Sequence, residues 1–271
     1  ITNIGTCHLE NLGDRDGVLK AKTEIFQSMK TNGHIVLNGD DDKLITVREY
    51  NGVKPVFFGL NSERDVYADQ IESKGLKGVA CRIHLGEDAF DVLVPTPGIH
   101  MVYNALAAAA VGRIYGLTIE EIRRGIESLE TIRGRFKMIE TDKFLVVDDC
   151  YNANPMSMKA SLDVLHDGEG RRVAILGDMG ELGEDEAALH EGVGIHAATC
   201  GIDACVCVGD LAVHIAEAAR KANPDFPVYY EKTRESLLEH LNDYVQKGDT
   251  ILVKASHFMK FEEVVKALEE M

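Results

Sequence analysis

Short apolar runs recur through the second half of the chain, and the segments between them carry helical patterns. The runs cover residues 144–147, 172–176, 204–208, 228–230 and 250–253. Helical periodicity lies between them over residues 184–198, 211–222 and 233–246. Continuously apolar strands that alternate with helices predict a parallel sheet covered on both faces. The pattern therefore predicts an α/β fold for this half.

The first half of the chain has a different pattern of apolar and polar residues. Residues 1–5 have the composition of a strand end, and the pattern then predicts helices over 16–29, 44–50 and 103–116, with strands over 35–38 and 55–59. Residues 65–94 alternate apolar and polar positions with glycines between them, which predicts a small antiparallel sheet. Thr118 and Glu121 form a capping box at the start of a further helix that ends near Leu129. This pattern changes to alternating strands and helices near residue 133, which predicts a domain boundary there and gives domains 1–133 and 134–271.

Polar clusters follow three of the predicted strands of the second domain, at residues 148–155, 177–183 and 254–257. In open α/β sheets, ligands bind beyond the carboxyl ends of the strands. Ordinary strand-end turns are the alternative for each cluster, because Asp, Asn and Gly are common there. Three clusters at equivalent strand ends favour a shared site. The glycine spacing of residues 177–183 is not that of a dinucleotide fingerprint, and its acidic residues would repel a pyrophosphate.

Charge narrows the possible partners. The 271 residues contain 29 Lys and Arg against 45 Asp and Glu, a net charge of −16. Nonspecific binding to nucleic acid or to anionic membranes needs a basic face, so neither is expected. A local anion site is still compatible with this surface. No apolar run approaches the roughly 20 residues of a membrane span, so no membrane insertion is expected.

Six cysteines are spread along the chain without a CxxC spacing. Cys205 and Cys207 lie in one apolar run, where alternate side chains of a strand share a face. Buried, reduced thiols are the favoured interpretation, and a metal or redox site is the alternative. Reduced cysteines indicate a cytoplasmic protein.

Several segments together resemble a known family. They are NIGTCHLE at 3–10, AKTEI at 21–25, PGIHMVYNALAA at 97–108, GRF at 134–136, DDCYNANPMSM at 148–158, LGDMGELG at 176–183 and LVKAS at 252–256. In this order they are similar to the ATP-dependent Mur ligases of peptidoglycan synthesis. The resemblance implies a partial ATP-binding central domain and a C-terminal Rossmann-like domain. The YNANP and LGDMxELG elements point to the member that adds D-alanyl-D-alanine to UDP-N-acetylmuramoyl-tripeptide, acting as a monomer.

The resemblance also implies roles for single residues. His8 matches a histidine that binds Mg²⁺, and Lys22 matches a lysine that becomes a carbamate and ligates the same metal. From the residues alone, His8 is a structural histidine and Lys22 belongs to a solvated helix face. Arg135 matches an arginine that reaches the phosphates of ATP, and a guanidinium suits bidentate phosphate contacts.

Two further groups of residues take their roles from the resemblance. The adenosine part of ATP is expected to contact Asn104, Asp149, Asn152 and Asn154. The incoming dipeptide is expected near Asp178, Met179, Glu181, Lys254 and Ser256.

The sequence departs from the family pattern in three respects. It contains no GxxxxGK[ST] phosphate loop, so we expect the chain to begin inside the central domain and to lack ligase activity by itself. Met101 replaces an asparagine, and Ala255 replaces a glycine. The alternatives are another Mur or folylpolyglutamate-type ligase and a noncatalytic α/β binding module.

Overall fold

The computed structural model describes residues 1–6 and 9–271 of the chain. These residues divide into two compact units, Ile1–Glu130 and Thr131–Met271, and each unit has its own sheet. The division falls close to the boundary predicted near residue 133.

The first unit is built on a five-stranded sheet with the order β1-β2-β3-β4-β5. Its first three strands are parallel, and β3, β4 and β5 pair antiparallel, as the alternation over 65–94 predicts. The strands are β1 (Val36–Asn38), β2 (Val56–Gly59), β3 (Val66–Ser73), β4 (Val79–Leu85) and β5 (Asp88–Val94). The helices are α1 (Leu9–Leu12), α2 (Arg15–Thr23), α3 (Ile99–Ile114) and α4 (Ile119–Glu127).

Helix α3 covers the sheet of the first unit. Its buried face carries Val102, Leu106 and Ala109, which share one apolar core with Phe58 and Ile83 of the sheet. Small alanine side chains let the helix approach the strands closely. The capping box predicted for α4 is confirmed, because Thr118 and Glu121 bond each other's backbone N–H groups.

Two predicted helices of the first unit are shorter than expected. The helix predicted over 44–50 is wrong, since only a 3₁₀ turn at Leu44–Thr46 forms. The carboxylate of Asp41 accepts the N–H group of Leu44 at 2.9 Å, which fixes a turn there. The helix predicted over 16–29 ends at Thr23, whose hydroxyl donates back to the carbonyl of Leu19, and a 3₁₀ segment follows at Glu24–Ser28.

The second unit contains a six-stranded sheet with the order β10-β9-β8-β11-β7-β6. All neighbours are parallel except β6 and β7, which confirms the predicted parallel sheet. The strands are β6 (Lys137–Glu140), β7 (Leu145–Asp148), β8 (Arg172–Gly177), β9 (Ala204–Val208), β10 (Val228–Glu231) and β11 (Thr250–Lys254). The helices are α5 (Pro155–His166), α6 (Glu186–Thr199), α7 (Ala212–Ala222), α8 (Arg234–Tyr244) and α9 (Glu262–Glu270).

Helices cover both faces of this second sheet. One face packs with α8 and α9 in a core that contains Val146, Ile175, Leu241 and Leu268. On the other, α5, α6 and α7 lie side by side. Strand β6 and helices α5 and α9 were not singled out by the sequence pattern.

The thiols of Cys205 and Cys207 are fully buried in β9 with their Sγ atoms 3.5 Å apart. Both are free, which confirms the interpretation as reduced core cysteines. Cys7 lies outside the described residues. Within the described ranges, no helix is both long and apolar enough to span a membrane.

Candidate functional site

The three polar clusters of the second unit lie at the carboxyl ends of adjacent strands, because β11 is inserted between β8 and β7. The chain crosses from β7 to β8 in one direction and returns from β10 to β11 in the other. Right-handed crossovers then place the connecting helices on opposite faces. Such a reversal opens a crevice at the carboxyl edge of the sheet, where ligands bind in folds of this kind.

A buried ion pair lies at the centre of this edge. The Lys254 ammonium contacts the Asp149 carboxylate at 2.6 Å and donates to the carbonyl of Asn152 at 3.2 Å. The same oxygen, Oδ2 of Asp149, accepts the hydroxyl of Ser161 from α5 at 2.7 Å. The Lys254 side chain is only 3% exposed, whereas that of Asp149 is 14% exposed. Two residues that the sequence assigns to different ligands are therefore in direct contact.

A second carboxylate shapes the turn that carries Arg135. Asp148 is buried and accepts the Gly134 N–H group at 2.8 Å, and the Gly134 carbonyl accepts the N–H group of Tyr151 at 3.0 Å. Gly134 has φ +76°, and a Cβ atom there would lie 3.0 Å from that of Tyr151, so this turn requires glycine. Burial and the neighbouring Asp148 raise the pKa of the Cys150 thiol, which therefore stays protonated.

The turn places the Arg135 guanidinium over the ring of Tyr151, 4.0 Å from its centroid, in cation–π geometry. In the described part of the chain, no carboxylate forms an ion pair with Arg135. The opposite holds for Arg133, which pairs with Glu269 at 2.9 Å. An exposed guanidinium held by a ring keeps its N–H donors available for an anion.

The two asparagines of the YNANP segment have different surroundings. Asn154 caps α5, since its side chain accepts the N–H group of Ser157 at 2.9 Å. The Ser157 hydroxyl lies 3.1 Å from the Asn154 N–H group, which completes a capping box, and Pro155 takes the first helical position. Asn152 is exposed, with its amide oxygen on the N–H group of Ala153 at 2.8 Å.

The loop after β8 is held by contacts from distant elements. Asp178 is buried and accepts the N–H groups of Leu211 and Ala212, at 3.1 and 2.7 Å, at the start of α7. Burial nevertheless raises the pKa of the Asp178 carboxyl above its usual range. Met179 is fully buried, and its N–H group donates to Nε2 of His190 at 2.9 Å.

The exposed end of the same loop faces the turn after β11. Ser256 accepts the N–H group of Gly180 at 2.9 Å. A Cβ atom at Gly180 would lie 2.9 Å from the ring of Phe258, which is 61% exposed. Glu181 is exposed and has φ +60°. A carboxylate and an exposed aromatic ring at this end suit an ammonium group that carries a small apolar side chain.

The remaining predicted residues belong to the first unit. Lys22 is exposed on α2 and donates to the carbonyl of Asn3 at 2.9 Å. Asn104 is exposed on α3, and its amide lies 3.4 Å from the Met101 sulfur. His8 lies outside the described residues. Across the described ranges, no cluster of three or more His, Cys, Asp or Glu side chains could hold a metal ion.

Several residues of this edge were missed by reasoning from the sequence. Tyr151 orients Arg135, Ser161 contacts Asp149, and His190 holds the loop after β8. A serine two turns into a helix and a histidine within an alanine-rich helix carry no positional signal. The GRF segment did point to the turn at Gly134.

Two family profiles match the chain. The Mur ligase middle domain matches residues 1–112, and the Mur ligase glutamate ligase domain matches residues 134–257. The chain belongs to the Mur ligase family.

Two similar curated relatives share one name. The UDP-N-acetylmuramoyl-tripeptide–D-alanyl-D-alanine ligase of Bacillus subtilis is 35% identical over 100% of this chain and 58% of that protein. The ligase of the same name from Escherichia coli is 35% identical over 100% of this chain and 59% of that protein. The chain thus spans about three-fifths of the length of the curated relatives it matches.

Solved structures show the same similarity. MurF from Acinetobacter baumannii superposes with a TM-score of 0.89 at 32% identity, covering 100% of this chain and 59% of that one. MurF ligase from Thermotoga maritima, solved in complex with ADP, gives a TM-score of 0.82 at 26% identity, covering 99% and 60%.

Proposed function

We propose that this chain carries the amine-binding part and a portion of the ATP site of a ligase that joins D-alanyl-D-alanine to UDP-N-acetylmuramoyl-tripeptide in peptidoglycan synthesis. The meeting of three polar clusters at the carboxyl ends of β7, β11 and β8 carries this proposal. The names of the curated relatives support the choice of substrates.

The nucleotide is assigned to Arg135 and to the segment after β7. The exposed guanidinium of Arg135, held over the Tyr151 ring, suits the phosphates, and the partly exposed carboxylate of Asp149 suits the ribose hydroxyls. Asn152 and Asn154 supply amide groups beside it. A relative solved with ADP supports an adenine nucleotide as the ligand.

The dipeptide is assigned to the exposed end of the loop after β8. Glu181 offers a carboxylate for the ammonium of D-alanyl-D-alanine, and the hydroxyl of Ser256 lies next to the loop. Asp178 and Met179 serve this site through the shape of the loop, because both side chains are buried.

Mg²⁺ is assigned to His8 and to Lys22 as a carbamate. A carbamate converts the ammonium of Lys22 into an anionic oxygen ligand, which hard Mg²⁺ prefers. The exposure of Lys22 leaves its amine open to that modification. When bound, the ion would offset the repulsion between the nucleotide phosphates and the substrate carboxylate.

The proposed reaction forms one amide bond for each ATP. The substrate carboxylate takes the γ-phosphoryl group to give an acyl phosphate and ADP. The dipeptide amine then attacks the acyl carbon, loses a proton, and expels inorganic phosphate. A cytoplasmic, monomeric enzyme is proposed, and the buried thiol pair in β9 fits a reducing compartment.

The test uses the full-length protein with Arg135→Ala and the matched control Arg133→Ala. Loss of the phosphate contact should lower kcat/KM for ATP roughly 100-fold, because charge-assisted contacts to phosphate are strong. Arg133→Ala should change it less than about threefold, since an exposed ion pair contributes little. Equal effects of the two variants would refute the role of Arg135. Coupling of another amine in preference to D-alanyl-D-alanine would refute the substrate assignment.

A further inference from the structure

Lys254 has no surface from which to bind a dipeptide. Its side chain is 3% exposed, and its ammonium is engaged by the Asp149 carboxylate and the Asn152 carbonyl. A buried ammonium must be paired, because removing it from water is costly. Its orientation is therefore set by Asp149 and not by a ligand.

The lysine joins three separate parts of the second unit. Lys254 is the last residue of β11, Asp149 follows β7, and Ser161 of α5 donates to the same carboxylate oxygen. The N–H group of Asp149 also donates to the carbonyl of Val253 at 3.0 Å, so backbone and side chain bind the two strand ends together. One carboxylate oxygen thus receives two donors from two different elements, α5 and β11, which fixes its direction.

The pair also changes the electrostatics of the edge. A lone carboxylate would repel a polyphosphate, and this repulsion is strong where the surroundings are apolar. The ammonium at 2.6 Å cancels that charge while leaving part of the carboxylate exposed. Hydroxyl groups can then be accepted without the repulsion.

We propose that Lys254 is a positioning residue for the nucleotide, which holds and neutralises Asp149, rather than a residue that binds the dipeptide. This inference rests on the proposed function, in which Asp149 contacts the ribose. Lys254 acts through Asp149, so its effect should depend on that carboxylate being present.

The experiment compares Lys254→Met, Asp149→Asn and the double variant in the full-length protein, with Lys266→Met as control. Lys266 is an exposed lysine of α9 paired with Glu270. ADP affinity is measured by calorimetry, and KM for D-alanyl-D-alanine by steady-state kinetics. Lys254→Met should weaken ADP binding at least about 10-fold and change the dipeptide KM less than about twofold.

The double variant tests the mechanism. Adding Lys254→Met to Asp149→Asn should change ADP affinity less than about threefold, because the group through which Lys254 acts is already neutral. One outcome is that the Lys254→Met variant alone fails to fold while the double variant folds. In that case, a double variant with the ADP affinity of Asp149→Asn supports the proposal, because it shows that Lys254 has no effect once the Asp149 carboxylate is gone.

Three results would separate the possible failures. A raised dipeptide KM with unchanged ADP affinity in Lys254→Met overturns the inference and restores a dipeptide contact. The inference is also overturned if Lys254→Met lowers ADP affinity by the same factor in the unmodified protein and in the Asp149→Asn variant. If the unmodified full-length protein binds no ADP, the proposed function itself fails.

Discussion

His190 shows how one residue fixes a loop that the sequence marks only by its polar composition. The ring is fully buried in α6, accepts the Met179 N–H group through Nε2, and lies with Nδ1 2.7 Å from the Glu186 carbonyl. Those partners require a proton on Nδ1 and none on Nε2. Burial lowers the pKa of His190 below its ordinary value, which favours this neutral form.

We predict that His190 makes stability fall on acidification. The unfolded chain takes up the proton near pH 6.5 and the folded chain only at lower pH. The contribution of His190 to the free energy of unfolding is therefore complete above pH 6.5, and it is lost as the pH falls toward the lowered pKa of the folded state. Urea titration at pH 7.5 and 5.5 should show a larger loss in the unmodified protein than in His190→Gln. Each unit of pKa difference corresponds to about 1.4 kcal/mol, which such titrations resolve.

The control for this titration is His34→Gln, at an exposed histidine of the first unit. The His34→Gln variant should lose as much unfolding free energy between pH 7.5 and pH 5.5 as the unmodified protein does, because it keeps the buried ring of His190. A His190→Gln variant with the same acid sensitivity as His34→Gln would show that the buried ring plays no part.

The sequence indicated which residues belong to the site, but it did not indicate which side chains these residues bond to. Asp178, Asp149 and Lys254 were all recognised at strand ends. Their partners lie far along the chain, however: Asp178 bonds Ala212, and Lys254 bonds Asp149. Such pairings follow from the order of strands in the sheet, which apolar periodicity does not specify.

Apolar periodicity worked best for central elements. The strands β8, β9 and β11 are buried on both faces, and their continuous apolar runs were recognised. The edge strand β6 has only half-buried or exposed residues and was missed for that reason. A helix was expected between β7 and β8, but the bounds of α5 were not predicted, because its first residues, in the YNANP segment, have the composition of a turn.

The beginning of α5 gives a prediction at the level of an element, because Asn154 is both its cap and a predicted nucleotide contact. Asn154→Ala removes the bond to Ser157 and should cost about 1 kcal/mol of unfolding free energy. Asn154→Ser keeps a capping oxygen and should cost less than about 0.5 kcal/mol. If the amide also contacts the nucleotide, Asn154→Ser should still weaken ADP binding several-fold.

Thermal unfolding and ADP calorimetry on the same preparations of full-length protein measure both effects. Unchanged ADP affinity in a stable Asn154→Ser variant would leave Asn154 with the capping role alone. Equal destabilisation by serine and alanine would contradict the cap itself.

At the scale of the whole chain, the net charge of −16 on its 271 residues limits how an anionic ligand reaches the site. This charge makes polyanion binding an unexpected role, but it does not reveal local cations. Arg135 provides one without a carboxylate partner in the described ranges. An ATP site in this surface therefore combines local attraction with repulsion from the rest of the protein.

These two contributions predict an unusual salt dependence. The Debye length shortens from about 30 Å at 10 mM salt to about 8 Å at 150 mM, so salt removes distant repulsion more completely than a contact at the site. The association rate of a fluorescent ADP analogue with the full-length protein should therefore rise over this range, whereas electrostatic steering by a basic protein would make it fall.

Stopped-flow mixing measures the association rate. The KM for D-alanyl-D-alanine, a zwitterion, serves as the control and should change little. A nucleotide association rate that decreases with salt would mean that cations dominate the approach to the site, and that the acidic surface lies too far away to matter.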